Sequence, residues 1–151
     1  MKIWSATVLF VISIGCTASS IPATGEPVAE VRAVWTKQVD AWNRGDLEGF
    51  MEGYWKSPDL VFFTNDGETR GWQQTLDHYR KTYQSGDTHM GTLDFPQLEF
   101  KELSPDAVLA RGRWRLKMPD RKELTGMTSV TFQKLPEGWR IVHDHSSAPA
   151  N

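Results

Sequence analysis

The last third of the chain constrains the fold most. Four β-rich stretches, about Gly91 to Leu103, Ala107 to Met118, Glu123 to Leu135 and Trp139 to His145, follow one another with only short breaks. The breaks are Ser104-Pro105-Asp106, Pro119-Asp120-Arg121 and Pro136-Glu137-Gly138, all of them turn chemistry. The first half reads differently. Val28, Val31, Val34, Trp35, Val39 and Trp42 recur at helical spacing. Asn43-Arg44-Gly45 ends that helix, and Asp46 caps a second short one carrying Leu47, Phe50, Met51 and Tyr54. Leu60 to Phe63 is a strand, Asn65-Asp66-Gly67 a hairpin turn and Glu68 to Arg70 the return strand. About Trp72 to Gln84 is helical again, with Leu76, Tyr79 and Tyr83 on one side. Helices first, then strands joined by tight turns, predict an α+β fold on a mostly antiparallel sheet.

A length of 151 residues suits one domain, and no internal repeat or low-complexity block divides it. Apolar residues make up 39% and charged residues 24%, which suits a folded chain rather than a disordered one. The net charge of -2 provides no basic field for phosphate backbones, so nucleic acid is not an expected partner. Seven tryptophans need a substantial core or a pocket to bury them.

The N-terminus reads as an export signal over residues 1–18. Met1-Lys2 is a short positive start, Ile3 to Ile14 an apolar run, and Gly15-Cys16-Thr17-Ala18-Ser19-Ser20 a small-residue processing region. A buried N-terminal helix is the competing reading, disfavoured by the small polar linker that follows, over residues 19–27. Cys16 is the only cysteine, so no intramolecular disulfide can form. Its place after Ile14-Gly15 resembles a bacterial lipobox, with Ser13 where that pattern prefers an aliphatic residue. Lipidation at Cys16 and cleavage after Ala18 are the two alternatives. Both put the domain in the periplasm or outside the cell, and only the first ties it to a membrane surface, through a lipid anchor.

Three groups of residues could carry chemistry. In a regular final strand, Trp139, Ile141, His143 and His145 share one face and Arg140, Val142 and Asp144 the other. His143 and His145 have the look of a metal pair, but no further ligand stands at a metal-like spacing, so no metal is expected. The bland reading has one histidine lining a pocket while the other bonds backbone. Arg111, Arg113 and Arg115 alternate with Ala110, Gly112, Trp114 and Leu116. That cationic face is either a solvated or dimerising outer face, or a route for Arg115 into a pocket to bind a carboxylate. Trp42, Tyr54, Tyr79, Tyr83 and Trp114 form the third group, which either packs the core or walls a ligand site. Asp59, Asp94 and Glu99 are acidic candidates with nothing marking one as buried, and no nucleophile, phosphate-loop or dinucleotide motif appears.

Ala41-Trp42-Asn43-Arg44-Gly45-Asp46, Phe62 to Gly67 with Arg70-Gly71-Trp72, and Gly138 to Ser147 together resemble the nuclear transport factor 2-like superfamily in its SnoaL-like branch. The resemblance spans roughly residues 28–148, and the final strand is also similar to that of the calcium/calmodulin-dependent kinase II association domain. It implies a cone in which helices wrap a strongly curved sheet around a pocket, and a homodimer formed through the convex face. The kinase association domain has a cavity arginine at about the position of Arg115, whereas Val130 departs from another. The resemblance does not choose a function, because this superfamily hosts several chemistries and scaffolds. The expected function is binding of a small organic ligand without a cofactor, in a pocket of Trp42, Tyr54, Tyr79, Tyr83, Trp114, Arg115, His143 and His145. One alternative is an isomerase or dehydratase with His145 as base and Tyr79 as donor. The other is a dimerisation scaffold with no ligand.

Overall fold

The structure, a computed structural model, describes residues 25–84, 90–120 and 122–149. The expected export signal over residues 1–18, Cys16 within it, and His89 lie outside the described residues. Three helices, α1 (Glu26–Asn43), α2 (Leu47–Met51) and α3 (Trp72–Tyr83), accompany six strands. The strands are β1 (Val61–Thr64), β2 (Gly67–Arg70), β3 (Thr92–Ser104), β4 (Ala107–Lys117), β5 (Glu123–Leu135) and β6 (Gly138–Ser147). They form one sheet in the order β2-β1-β6-β5-β4-β3. Every neighbouring pair is antiparallel except β1 and β6, which run parallel and are joined through helix α3 and four intervening strands rather than by a tight turn. No helix among the described residues is long and apolar enough to cross a membrane.

Local chemistry explains the helix boundaries. Gly45 takes φ 80, a left-handed conformation that ends α1 at little cost. Asp46 then accepts a 2.8 Å bond from the Gly49 amide, capping α2. The buried side of α1 carries Val31, Trp35, Gln38 and Trp42, spaced four, three and four residues apart. Trp35 meets Phe95 and Phe100 edge-on, with ring centroids 4.7 and 5.7 Å away. Such pairs contribute roughly 0.5–1.5 kcal/mol each beyond the area they bury.

Helix α1 spans the concave side of the sheet and is tied down at both ends. Near its start, Glu30 accepts from Lys134 Nζ at 2.9 Å and from Trp139 Nε1 at 2.5 Å. At its end, Asn43 exchanges two hydrogen bonds with the Leu93 backbone, and Trp42 Nε1 donates to the Met90 carbonyl at 3.1 Å. These side chains hold the helix across a gap that the curved sheet leaves open.

Bulges supply the curvature. Between the pairs Asp94–Arg115 and Gln97–Arg113, Trp114 stands opposite both Phe95 and Pro96. Proline lacks a ladder donor, so the bulge is where β3 tolerates it. Gly112 and Gly126 serve close approach: a Cβ there would overlap the Gln97 carbonyl or, at Gly126, the Ser147 carbonyl and the Trp114 ring. A second bulge lies between β5 and β6. Thr131 pairs with His143 while Phe132 pairs with Ile141, so Val142 is the extra residue.

Candidate functional site

That single extra residue decides which side chains of β6 look inward. Before it, Trp139 and Ile141 are buried; beyond it the alternation restarts, and Asp144 rather than His143 or His145 is buried. The expectation that both histidines share a face with Ile141 is therefore corrected. Asp144 is 3% exposed and sits in one cross-strand row with Ala110, Val130 and Phe62. His145 is exposed and His143 half-buried on the outer face, where their rings stand edge-on to Phe63 at 5.2 Å (His143) and 6.0 Å (His145).

The inward row opens on a cavity of about 650 Å³ between the helices and the concave face of the sheet. Trp42 from α1, Tyr79 and Tyr83 from α3, Trp114 from β4 and Tyr54 from the segment after α2 all line it. These five expected aromatics are thus brought together, and with them come Trp35, Phe50 and Phe62. The rings also pack on one another. Tyr79 stacks on Phe62 at 5.4 Å and on Tyr83 at 6.0 Å, and Trp42 meets Tyr83 edge-on at 5.0 Å. The same residues therefore serve as core and as wall. Exposed lining residues, among them Asn65, Asp66, Thr82 and Glu123, mark the mouth. Asn65 exchanges hydrogen bonds with the Ala148 backbone and fixes the chain end beside that mouth.

Arg115 departs from the expected pocket. Its guanidinium grips Asp94 with two bonds of 2.9 and 2.7 Å, and it does not line the cavity. Arg111 likewise bonds Glu99, at 3.2 Å. The alternation of β4 explains both: Ala110, Trp114 and Leu116 face inward, which turns the arginines outward onto acidic partners of β3. Bonding to Arg115 holds the Asp94 carboxyl below the usual aspartate range.

Five polar side chains of the cavity form one connected chain. Tyr54 Oη donates to Asp144 Oδ2 at 2.8 Å and lies 3.4 Å from Tyr79 Oη. On the other side Ser146 Oγ donates to Asp144 Oδ1 at 2.7 Å and is 2.9 Å from Thr128 Oγ1. Burial raises the Asp144 carboxyl above its ordinary range, while the bonds from Ser146 and Tyr54 and the nearby imidazoles of His143 and His145 oppose that rise. Burial, followed by the neighbouring Asp144 charge, pushes Tyr54 and Tyr79 well above the ordinary phenol range. The tyrosines consequently stay protonated donors around a carboxyl whose charge is costly. The imidazole that does line the cavity is His78 of α3, edge-on to Phe62 at 5.7 Å. Among the described residues no group of three His, Cys, Asp or Glu side chains is arranged to hold a metal ion.

Sequence reasoning missed Asp144, its partners Ser146 and Thr128, and His78. The available signal was the Ile141-Val142 apolar doublet, which breaks the period of β6 where a bulge is needed.

Solved structures with the same architecture define the class. An NTF-2-like protein of unknown function from Shewanella oneidensis is 36% identical, with a TM-score of 0.73, covering 80% of this chain and 98% of its own. A nuclear transport factor 2-like superfamily protein from Salmonella enterica is 25% identical, with a TM-score of 0.67 and coverages of 85% and 95%. A candidate calcium/calmodulin-dependent kinase II association domain from Xanthomonas campestris shares the fold at 20% identity and a TM-score of 0.65, with coverages of 88% and 94%. No curated protein matches the chain significantly. The SnoaL-like domain family model matches residues 31–151, and the chain belongs to that family.

Proposed function

We propose that this domain binds a small, largely apolar organic molecule, whose rings or chain lie among the cavity aromatics and whose polar group meets Asp144. The observation that carries this reading is a buried carboxyl, bonded by the Tyr54 hydroxyl with Tyr79 next in line, inside an aromatic cavity of about 650 Å³. A few placed polar groups in an otherwise apolar hollow of that size are the usual make-up of a small-molecule site. Titration with 2-naphthalenemethanol, followed by tryptophan fluorescence, tests it. Saturable one-to-one binding is expected, and Leu124→Trp, which fills the lining, should abolish it. Absence of saturation, or binding indifferent to that variant, contradicts the reading.

The Tyr79–Tyr54–Asp144 chain favours a second reading, proton transfer on a bound substrate. The base of such an enzyme would be Asp144 rather than His145, because His145 stands outside the cavity. A desolvated carboxyl whose pKa burial raises, beside protonated phenols, is suited to accepting a proton from a bound substrate. Deuterium wash-in at the α-carbon of 2-tetralone, read by NMR, distinguishes the two. An enzyme of this kind accelerates the exchange and Asp144→Asn abolishes the acceleration, whereas a binding domain leaves the solution rate unchanged.

A further inference from the structure

The ionisable side chains of the cavity are unevenly signed. Asp144 lies within it and Asp66 and Glu123 at its mouth; His78 contributes an imidazole, and no lysine or arginine among the described residues lines it. Arg115, between the wall residues Trp114 and Leu116, is committed to Asp94 on the outer side. A carboxylate or phosphate ligand would therefore find no lysine or arginine to meet it, only the His78 imidazole of α3, and would face the Asp144 carboxyl.

The walls complete the pattern. Aromatic faces carry negative quadrupole potential and attract cations, most strongly where water is excluded. Tyr79, Trp42 and Tyr83 pack around one side of the hollow, with Phe62 stacked on Tyr79. Asp144 is held in place there by donors on both oxygens, Tyr54 on one and Ser146 on the other. Each carboxylate oxygen can accept more than one hydrogen bond, so both keep capacity for a ligand N–H.

Resting on the binding reading above, we propose that the cavity selects organic cations: primary or secondary amines joined to an apolar or aromatic body, with the ammonium at Asp144 and the body among the rings. The neutral alcohol of equal shape offers a hydrogen bond but no charge, and the corresponding acid brings the wrong charge.

Three probes of one shape test this: 2-naphthylmethylamine, 2-naphthalenemethanol and 2-naphthoate, titrated calorimetrically into the protein at neutral pH. The amine should bind about tenfold or more tighter than the alcohol, consistent with a desolvated cation among rings and a carboxylate, and the naphthoate should bind weakest. In Asp144→Asn the advantage of the amine over the alcohol should collapse, and because this is a ratio it does not depend on the fraction folded. Near-UV circular dichroism checks that the variant keeps its packed aromatics. An alcohol binding as tightly as the amine, a naphthoate binding tightest, or an unchanged ratio in Asp144→Asn overturns the amine assignment but leaves the binding site standing. Failure of all three probes to bind overturns both.

Discussion

Tyr54 and Asp144 stand 90 positions apart in the chain, yet the tyrosine hydroxyl donates to the buried carboxyl at 2.8 Å. Two long-range events produce that contact. The Tyr54 segment bridges to Ile141 as a short parallel addition to β6, and the Val142 bulge then turns Asp144 inward. The centre of the candidate site is thus a product of sheet register rather than of any local motif.

Removing the Tyr54 hydroxyl should be costly. Tyr54→Phe leaves a buried carboxyl short of one donor, and a loss of roughly 1–3 kcal/mol is expected for a buried group that loses its partner. Urea denaturation measures it. A change within error would mean that water or Tyr79 replaces the bond.

Asp144 should make stability fall as pH rises. Its folded pKa lies above the ordinary carboxyl value, so between the two the native state holds a proton that the unfolded chain has released. Its contribution to stability is therefore greatest below the unfolded pKa and declines as pH climbs through the raised one. Asp144→Asn removes this decline. Unfolding free energies of wild type and variant, measured from acid to slightly alkaline pH, should shift in the variant's favour as pH increases; parallel profiles would contradict the assignment.

Gly126 is required by close approach rather than by flexibility. A Cβ there would overlap the Trp114 ring and the Ser147 carbonyl, so Gly126→Ala should cost about 1–3 kcal/mol, the usual range for overpacking a core. Thermal unfolding checks this, and a neutral result would show that Trp114 yields readily.

Arg115→Ala and His145→Ala should leave the affinity for 2-naphthalenemethanol unchanged, since neither residue lines the cavity. Isothermal titration of both variants decides the point. A marked loss in either would restore the pocket role that the alternation of β6 and the association-domain resemblance suggest.

A homodimer through the convex face is the proposal for the outer side of the sheet. Met127, 49% exposed, pairs there with Arg113 and Ser147. Wild-type protein should sediment as a dimer and Met127→Asp as a monomer; two monomers, or two dimers, would place the interface elsewhere.

Much of the architecture is legible from residues alone, for physical reasons. Asp46 caps α2 through the Gly49 amide and Gly67, at φ 120, closes the turn between β1 and β2, both of them local effects within a few positions. β4 alternates without interruption against β5, so its outward arginines follow from the two-residue period. β6 does not. Its extra residue, Val142, exists only in relation to Thr131 and Phe132 of β5, and the period alone cannot say where alternation restarts. The parallel pairing of β1 with β6 is likewise a long-range event, and it sets Phe62 beside Asp144. Gln38 escaped the hydrophobic pattern of α1 because it is buried as a donor, to the Phe50 carbonyl at 3.0 Å.

The account stands most directly on Asp144 as the buried carboxyl inside the cavity. Carbon-13 NMR of aspartate-labelled protein, with Asp144 assigned through Asp144→Asn, follows its carboxyl while the imidazole signals of His143 and His145 serve as outside reporters. The carboxyl should titrate above the ordinary aspartate range and move on saturation with 2-naphthalenemethanol, while the probe leaves both imidazole signals unmoved. A carboxyl that titrates normally and ignores the probe, while His143 or His145 responds, would contradict the account and return the site to the histidines.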